Sequence, residues 1–162
     1  DAIPNVTVDT EWTALSTGAY CWWNNDQSTY ALYGALYNWF TVDDSRGICP
    51  EGWHVPTEPE ITTLGTSLGG FSLAGGKIKS NSDLWLSPNT NATNSTNFSA
   101  LPAGNREVNG QFDSITRYTF WWTSTQSSPG YAWSFWTRNI FTSIEVTGPD
   151  MKTGLSVRCL RD

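Results

Sequence analysis

YGALYNWFTVDDSRGICPEGWHVPT, residues Tyr33 to Thr57, holds an aromatic spacing, a cysteine, the only histidine of the chain and the start of a helix. Tyr30, Tyr33, Leu36, Tyr37 and Phe40 recur at three- and four-residue steps, which place side chains on one side of a helix, and Asp26 or Ser28 can cap its start. The spacing predicts a first, core-facing aromatic helix. Gly47 stops the segment that follows. Thr57-Glu58-Pro59-Glu60 then reads as a capping box, in which hydroxyl and carboxylate satisfy free amides at a helix start, so a second helix begins near Pro59. Ile61, Leu64 and Leu68 form its apolar stripe, and Gly69-Gly70 ends it, because glycine accepts the left-handed cap.

On the N-terminal side, residues 1–27 read as an extended, turn-rich lead-in with Trp12, Leu15, Tyr20, Trp22 and Trp23 as isolated packing anchors. On the C-terminal side, Phe71 to Ser99 is rich in Gly, Ser, Asn and Thr and reads as a long loop region pinned by Leu73, Ile78, Leu84, Trp85 and Leu86. Asn91, Asn94 and Asn97 each open a glycosylation sequon, a motif with physical meaning only in a eukaryotic secretory route. Phe98 to Leu101 reads as a short strand entering the Pro102-Ala103-Gly104 turn. Tyr118–Thr123, Tyr131–Arg138, Ile144–Thr147 and Leu155–Leu160 are β-rich runs separated by turn residues, which predicts antiparallel sheet. In the last run Leu155, Val157 and Cys159 share one face, and that parity buries the cysteine.

At 162 residues the chain is long enough for one domain that buries roughly two thirds of its unfolded surface. With 9 basic against 15 acidic residues its net charge is −6, which argues against phosphate backbones and anionic membranes as partners, so nucleic acid is not expected. No run approaches the ~18 apolar residues of a membrane span, and DAIPNV lacks the basic and apolar regions of a signal peptide, as the start of a mature fragment would. One histidine and no close cysteine pair make a zinc site improbable. Cys21, Cys49 and Cys159 leave one thiol unpaired in any pairing, and three buried thiols are the alternative to a bridge.

YGALYNW (Tyr33–Trp39), CPEGWHVPT (Cys49–Thr57), LGG (Leu68–Gly70), AGGKIKS (Ala74–Ser80), ATNSTNFSALPAGNR (Ala92–Arg106), WTST (Trp122–Thr125), AW (Ala132–Trp133) and GLSVRC (Gly154–Cys159) occur in this order. In that order they resemble the Fibrobacter succinogenes major paralogous domain, a bacterial extracellular domain. The resemblance covers most of the chain. It implies an α+β, C-type-lectin-like fold, with two helices packed on small twisted antiparallel sheets joined by long loops, of the kind shared with formylglycine-generating enzymes. It implies one such domain over residues 1–162, and leaves open whether a natural N-terminal strand precedes it. It also implies a disulfide between Cys49 and Cys159, with Cys21 left over. Closing a loop of about 110 residues would constrain the unfolded chain by about 4 to 5 kcal/mol.

Catalysis is weakly supported. The resembled oxidases bind copper through a closely spaced downstream cysteine pair, whereas here only Cys159 follows Cys49, so that activity is not carried over. His54 precedes the capping turn, where a histidine more often bonds backbone groups than serves a triad. Asp43-Asp44 and Glu58/Glu60 sit in a loop and at a helix start, the ordinary places for solvated or dipole-facing acids. No cofactor is expected. For calcium, Asp83, Asn89, Asn91, Asn94, Glu145 and Asp150 offer oxygen ligands, but the Glu-Pro-Asn and Gln-Pro-Asp sugar motifs of C-type lectins are absent. WNND, Trp23 to Asp26, lies too early for the lectin calcium motif and reads as a turn or cap.

The stretch from Arg117 to Phe141 carries nine of the chain's 23 aromatic residues, more rings than one core absorbs. In a sheet with one solvated face some must emerge, and Tyr, Trp and Arg beside Ser and Asn make up the composition of binding surfaces. Arg117, Tyr118, Trp121, Tyr131, Phe135, Trp136, Arg138, Asn139 and Phe141 depart from the family pattern and are the candidate ligand-binding residues. Trp122 and Trp133 match it, and the alternative to a binding face is that these two are buried and the other rings merely cover them. The expected function is a non-catalytic ligand-binding domain, extracellular or on a cell or virion surface, whose partner is a protein or glycan on another surface, with no direct membrane insertion. Similar domains are rewritten near their C-terminal end by diversity-generating retroelements, which makes a varied binding face an expectation of the resemblance. An oxidase relative and a structural module are the alternatives.

Overall fold

Short polar runs broken by single rings give short elements. In chain order the computed structural model, which describes residues 2–162, contains α1 (Asp9–Thr13), β1 (Tyr20–Cys21), α2 (Gln27–Tyr30), β2 (Leu36–Tyr37), α3 (Trp39–Val42), β3 (Trp53–His54), α4 (Glu58–Ser67), α5 (Phe71–Ile78), β4 (Asn105–Arg106), β5 (Phe112–Asp113), β6 (Tyr118–Ser128), β7 (Tyr131–Arg138), β8 (Glu145–Thr147) and β9 (Leu160–Arg161). The chain is mixed α+β. Its strands pair antiparallel as β1-β2, β3-β9, β4-β5 and a three-stranded sheet β6-β7-β8.

The second helix begins where the sequence places it. Pro59 lies in the first turn of α4, and the Glu60 carboxylate accepts from both the Thr57 backbone N–H (2.7 Å) and its hydroxyl (2.8 Å). Ile61 is buried, Leu64 and Leu68 are half-buried, and Gly69 and Gly70 take φ of 89° and 103° after the helix.

The first helix is not one helix. Asp26 does cap α2, accepting from the Thr29 N–H at 3.2 Å, but Gly34 at φ 83° ends the helical run. Leu36 and Tyr37 then pair with Cys21 and Tyr20, and Tyr37 exchanges two further backbone bonds with Leu155. Asn38, wholly buried, accepts from Ala19 N–H and from Thr41 N–H and hydroxyl, which starts α3 afresh. A buried asparagine that bonds the backbone competes with helix continuation, and this overrides the tyrosine spacing.

Two regions read as irregular contain helices. Residues 9–13 form α1, whose Trp12 is fully buried. The predicted loop after Gly70 opens with α5, in which Ala74, Gly75, Gly76 and Ile78 are buried. A Cβ on Gly75 would stand 2.1 Å from the Ser143 carbonyl oxygen, and one on Gly76 2.6 Å from that of Asn91, so these glycines admit neighbouring backbone against a helix. Beyond α5, Asn89, Asn91, Asn94 and Asn97 all have positive φ, which asparagine tolerates better than most residues, and this accounts physically for the asparagines of the sequons.

Strands β6 and β7 pair from Tyr118↔Arg138 to Ser128↔Tyr131, with irregularities on either side of Gln126. Trp121 and Phe135, opposite one another, join Ile61, Ala74, Ile78, Trp85, Ala100 and Ile144 in a core against α4 and α5. A second core gathers Trp12, Ala19, Cys21, Leu36 and Ala103, and a third holds Trp39, Trp122, Ala132, Met151 and Leu155. Trp122 is fully buried and Trp133 half-buried. The predicted run Leu155–Leu160 contributes isolated bridges at Leu155 and Ser156 and a strand only at β9, because its partners change from Tyr37 to Trp121 to β3. Cys159 is accordingly half-buried.

The bridge implied by the resemblance is present: Cys49 and Cys159 are disulfide-bonded with Cα atoms 5.8 Å apart, beside the β3-β9 pair. Cys21 is a buried free thiol, and burial pushes it up to about 11.

Candidate functional site: an aromatic face on the central sheet

Residues that alternate along a strand point to opposite sides of a sheet. Tyr118, Phe120 and Trp122 on β6 therefore share a side with Arg138, Trp136 and Ser134 on β7, and with Glu145 and Thr147 on β8. Around Trp122 this side is covered by the third core. Toward the Tyr118 end it is open, and Tyr118, Phe120, Trp136 and Phe141 are all half-exposed.

The four rings touch. Tyr118 stacks on Phe120 with centroids 5.6 Å apart and planes at 4°, Trp136 lies 5.7 Å from Tyr118 and 6.0 Å from Phe120, and Phe141 lies 6.0 Å from Trp136. The Arg138 guanidinium is held between two of them, 4.9 Å from Tyr118 and 4.8 Å from Phe141. Arg138 forms no ion pair among the described residues, and its Nε is buried without a partner. Contact with ring faces steadies a guanidinium while leaving its outer N–H groups free to donate.

Beside the rings lies a hollow of 310 Å³ whose lining includes Tyr118, Phe120, Asn105, Glu107, Thr147 and Pro149. The Glu107 carboxylate accepts from Asn105 Nδ2 at 2.5 Å. Rings, one free guanidinium and a hollow edged with polar groups can hold a partner that combines apolar surface with hydrogen-bond acceptors.

Beneath the face sits a residue whose contacts the sequence did not suggest. Lys79 is fully buried at the end of α5 and donates to four carbonyl oxygens: Thr90 (3.0 Å), Arg138 (3.2 Å), Asn139 (3.3 Å) and Phe141 (2.7 Å). Its ammonium thereby fixes the turn that presents Arg138 and Phe141.

Of the nine candidates, Tyr118, Trp136, Arg138 and Phe141 meet on this face, and Arg117 is exposed next to it. Tyr131 is exposed at the far end of the β6-β7 pair. Trp121, Phe135 and Asn139 are corrections: Trp121 (5% exposed) and Phe135 (1%) pack into the helix-side core, and Asn139 (4%) donates to the Leu86 carbonyl at 2.9 Å. Phe120 belongs to the face and was missed. Period-two parity identifies it, since Tyr118 and Phe120 must share a side that Trp121 cannot.

His54 bonds carboxylates, not the backbone expected of it: Nδ1 meets Asp162 at 2.5 Å and Nε2 meets Glu60 at 3.0 Å. The two acids raise its pKa, Asp162 more than Glu60, and both ring nitrogens are occupied. Of the oxygen groups considered for calcium, Asn94, Glu145 and Asp150 are engaged locally, while Asn89 Oδ1 is buried without a partner. Asn94 exchanges bonds with Ser99, Asp150 accepts from Lys152 N–H, and Glu145 accepts from Ser143 hydroxyl. Among the described residues no three His, Cys, Asp or Glu side chains group as metal ligands.

The Fibrobacter succinogenes major domain model matches residues 1–161. The chain belongs to the Fibrobacter succinogenes major domain family. No curated protein and no solved structure matches it. In this member of the family, the stretches that carry the resemblance supply both cysteines of the disulfide and part of each core, while the residues of the aromatic face all lie outside them.

Proposed function

We propose that this member of the Fibrobacter succinogenes major domain family is a non-catalytic, C-type-lectin-like ligand-binding module of an extracellular or cell-surface protein. It holds a protein or glycan partner on the open side of β6-β7-β8. The observation that carries the reading is the contiguous cluster of Tyr118, Phe120, Trp136 and Phe141 with Arg138 clamped between two of the rings and unpaired. Ring-and-arginine clusters of this kind are where binding energy concentrates. The Cys49–Cys159 bridge supports an oxidising compartment. No described helix is long and apolar enough to cross a membrane.

Two measurements test this. Arrays of bacterial surface proteins and glycans probed with the domain should yield a binder whose affinity falls by about 30-fold or more in Trp136→Ala and in Arg138→Ala, as expected for the loss of roughly 2 kcal/mol at a hot spot. Melting should be little changed. A binder unaffected by either substitution would remove the face as the site. The same reading makes the exposed positions from Arg117 to Phe141 the segment rewritten by a diversity-generating retroelement. Natural copies of the gene should then vary at Arg117, Tyr118, Tyr131, Trp136, Arg138 and Phe141 and spare the buried Trp121, Phe135 and Asn139. A locus without a reverse transcriptase and template repeat would reject that part alone.

A further inference from the structure

A two-part groove lies apart from the ring face. Its first hollow, 370 Å³, is enclosed by Tyr33 to Ala35, Phe98 to Leu101, Thr119 and Trp121 of β6, and Ser156 to Arg158. Its second, 340 Å³, is enclosed by the apolar side of α4 (Ile61, Leu64), Pro56, Phe135 and Leu160. The two share Phe98 and Arg158, and the Arg158 guanidinium stands 4.5 Å over the Phe98 ring at their junction.

The three parts differ in chemistry. The α4-side hollow is apolar. Glu60 is its other charged residue, and that carboxylate is already engaged by Thr57 and His54. Arg158 is exposed and forms no ion pair among the described residues, so the junction carries one uncompensated positive charge. On the wall of the other hollow, Thr119 Oγ1 and Ser156 Oγ are buried and lack protein partners. Both atoms are sealed from solvent, so an oxygen or amide in the hollow reaches them by a turn of either side chain, which relieves the cost of leaving a buried hydroxyl unpaired.

We propose that this groove binds a small amphipathic carboxylate with the chemistry of an N-acylated amino acid bearing an apolar side chain. The side chain fills the α4-side hollow. The carboxylate pairs with the Arg158 guanidinium, a match of fork to fork. The acyl amide lies on the Thr119 and Ser156 side. The inference is independent of the ring face, since Trp136, Arg138 and Phe141 line neither hollow.

The test is a titration of the ¹⁵N-labelled 162-residue chain, followed by amide shifts, with three probes: N-acetyl-leucine, N-acetyl-leucine amide, and an acetylated tripeptide ending in leucine carboxylate. Saturable shifts are expected at Leu64, Phe98 and Arg158 with the acid, and the uncharged amide should bind about tenfold more weakly or worse. Arg158→Gln should lose the same factor, Ser156→Ala less, and Trp136→Ala nothing. A tripeptide tighter than N-acetyl-leucine assigns the groove to peptide C-termini, and equal affinities assign it to free acylated amino acids. Binding of the amide as tight as that of the acid, or no saturable shift at these residues up to about 10 mM probe, overturns the proposal. Should Arg158→Gln fail to fold, the comparison of acid with amide on the unaltered chain decides.

Discussion

Arg106 is fully buried, and its guanidinium is held by hydrogen bonds in its plane and by rings on its faces. It donates to the carbonyls of Gly110, Val6 and Thr7 and to Asp9, and stacks between Trp12 and Phe112 at 4.4 and 4.9 Å. Arg106→Met keeps much of the volume but leaves buried carbonyls unbonded, so a loss of about 3 kcal/mol is expected in denaturant unfolding. His54 is the second informative residue. Its folded pKa is raised by Asp162 and Glu60, so its stabilising effect is complete below the unfolded value of about 6.5 and fades as pH rises through the higher folded value. The Glu60 pKa is lowered, chiefly by Thr57, so its share holds above the ordinary carboxylate range and fades in acid. The melting difference between the native chain and His54→Gln should therefore peak near pH 5 to 6 and shrink toward pH 9. A difference independent of pH would show that the two contacts are not ionic. The residue scale also marks the limit of sequence reading. Thr57 and Glu60 were legible because a capping box is closed within four residues, whereas most partners of Arg106 and Lys79 lie tens of residues away.

At the scale of elements, the strands were the more legible part. β6 and β7 carry β-rich, alternating residues bounded by turns, and Tyr131–Arg138 coincides with β7. The candidate face was half legible for the same reason. Composition located the stretch, but counting rings without applying parity put Phe135 and Trp136 on one surface, which adjacent strand residues cannot share. The helices misled in both directions. Apolar residues at helical spacing serve α2 (Tyr30), β2 (Leu36, Tyr37) and α3 (Phe40) separately because Gly34 and Asn38 reset the backbone, and Gly75-Gly76 looked like loop because the contacts that require glycine are with Ser143 and Asn91. Lys79 links these elements, its ammonium holding four carbonyls between α5 and the end of β7. Lys79→Met should cost about 2 to 3 kcal/mol and speed amide exchange from Arg138 to Phe141. Ligand affinity at the ring face should fall with it, although Lys79 touches no ligand. Unchanged exchange in that turn would show that the face does not depend on the buried amine.

At the scale of the whole molecule, the family resemblance supplied what the residues alone did not. Three cysteines allow several outcomes, and only the resemblance implied the Cys49–Cys159 pair, whose partners are 110 residues apart. That covalent tie has a mechanical consequence. When the chain is stretched between its two ends, force passes from residue 49 directly to residue 159, and the central sheet, α4 and α5 lie in a shielded loop that bears no load. Single-molecule extension of the oxidised chain should release only the length outside the bridge. Adding a reductant should free roughly 370 Å more, at about 3.4 Å for each of the 110 residue steps from Cys49 to Cys159. A chain built this way would keep its central sheet folded under tension strong enough to unravel the segments outside the bridge.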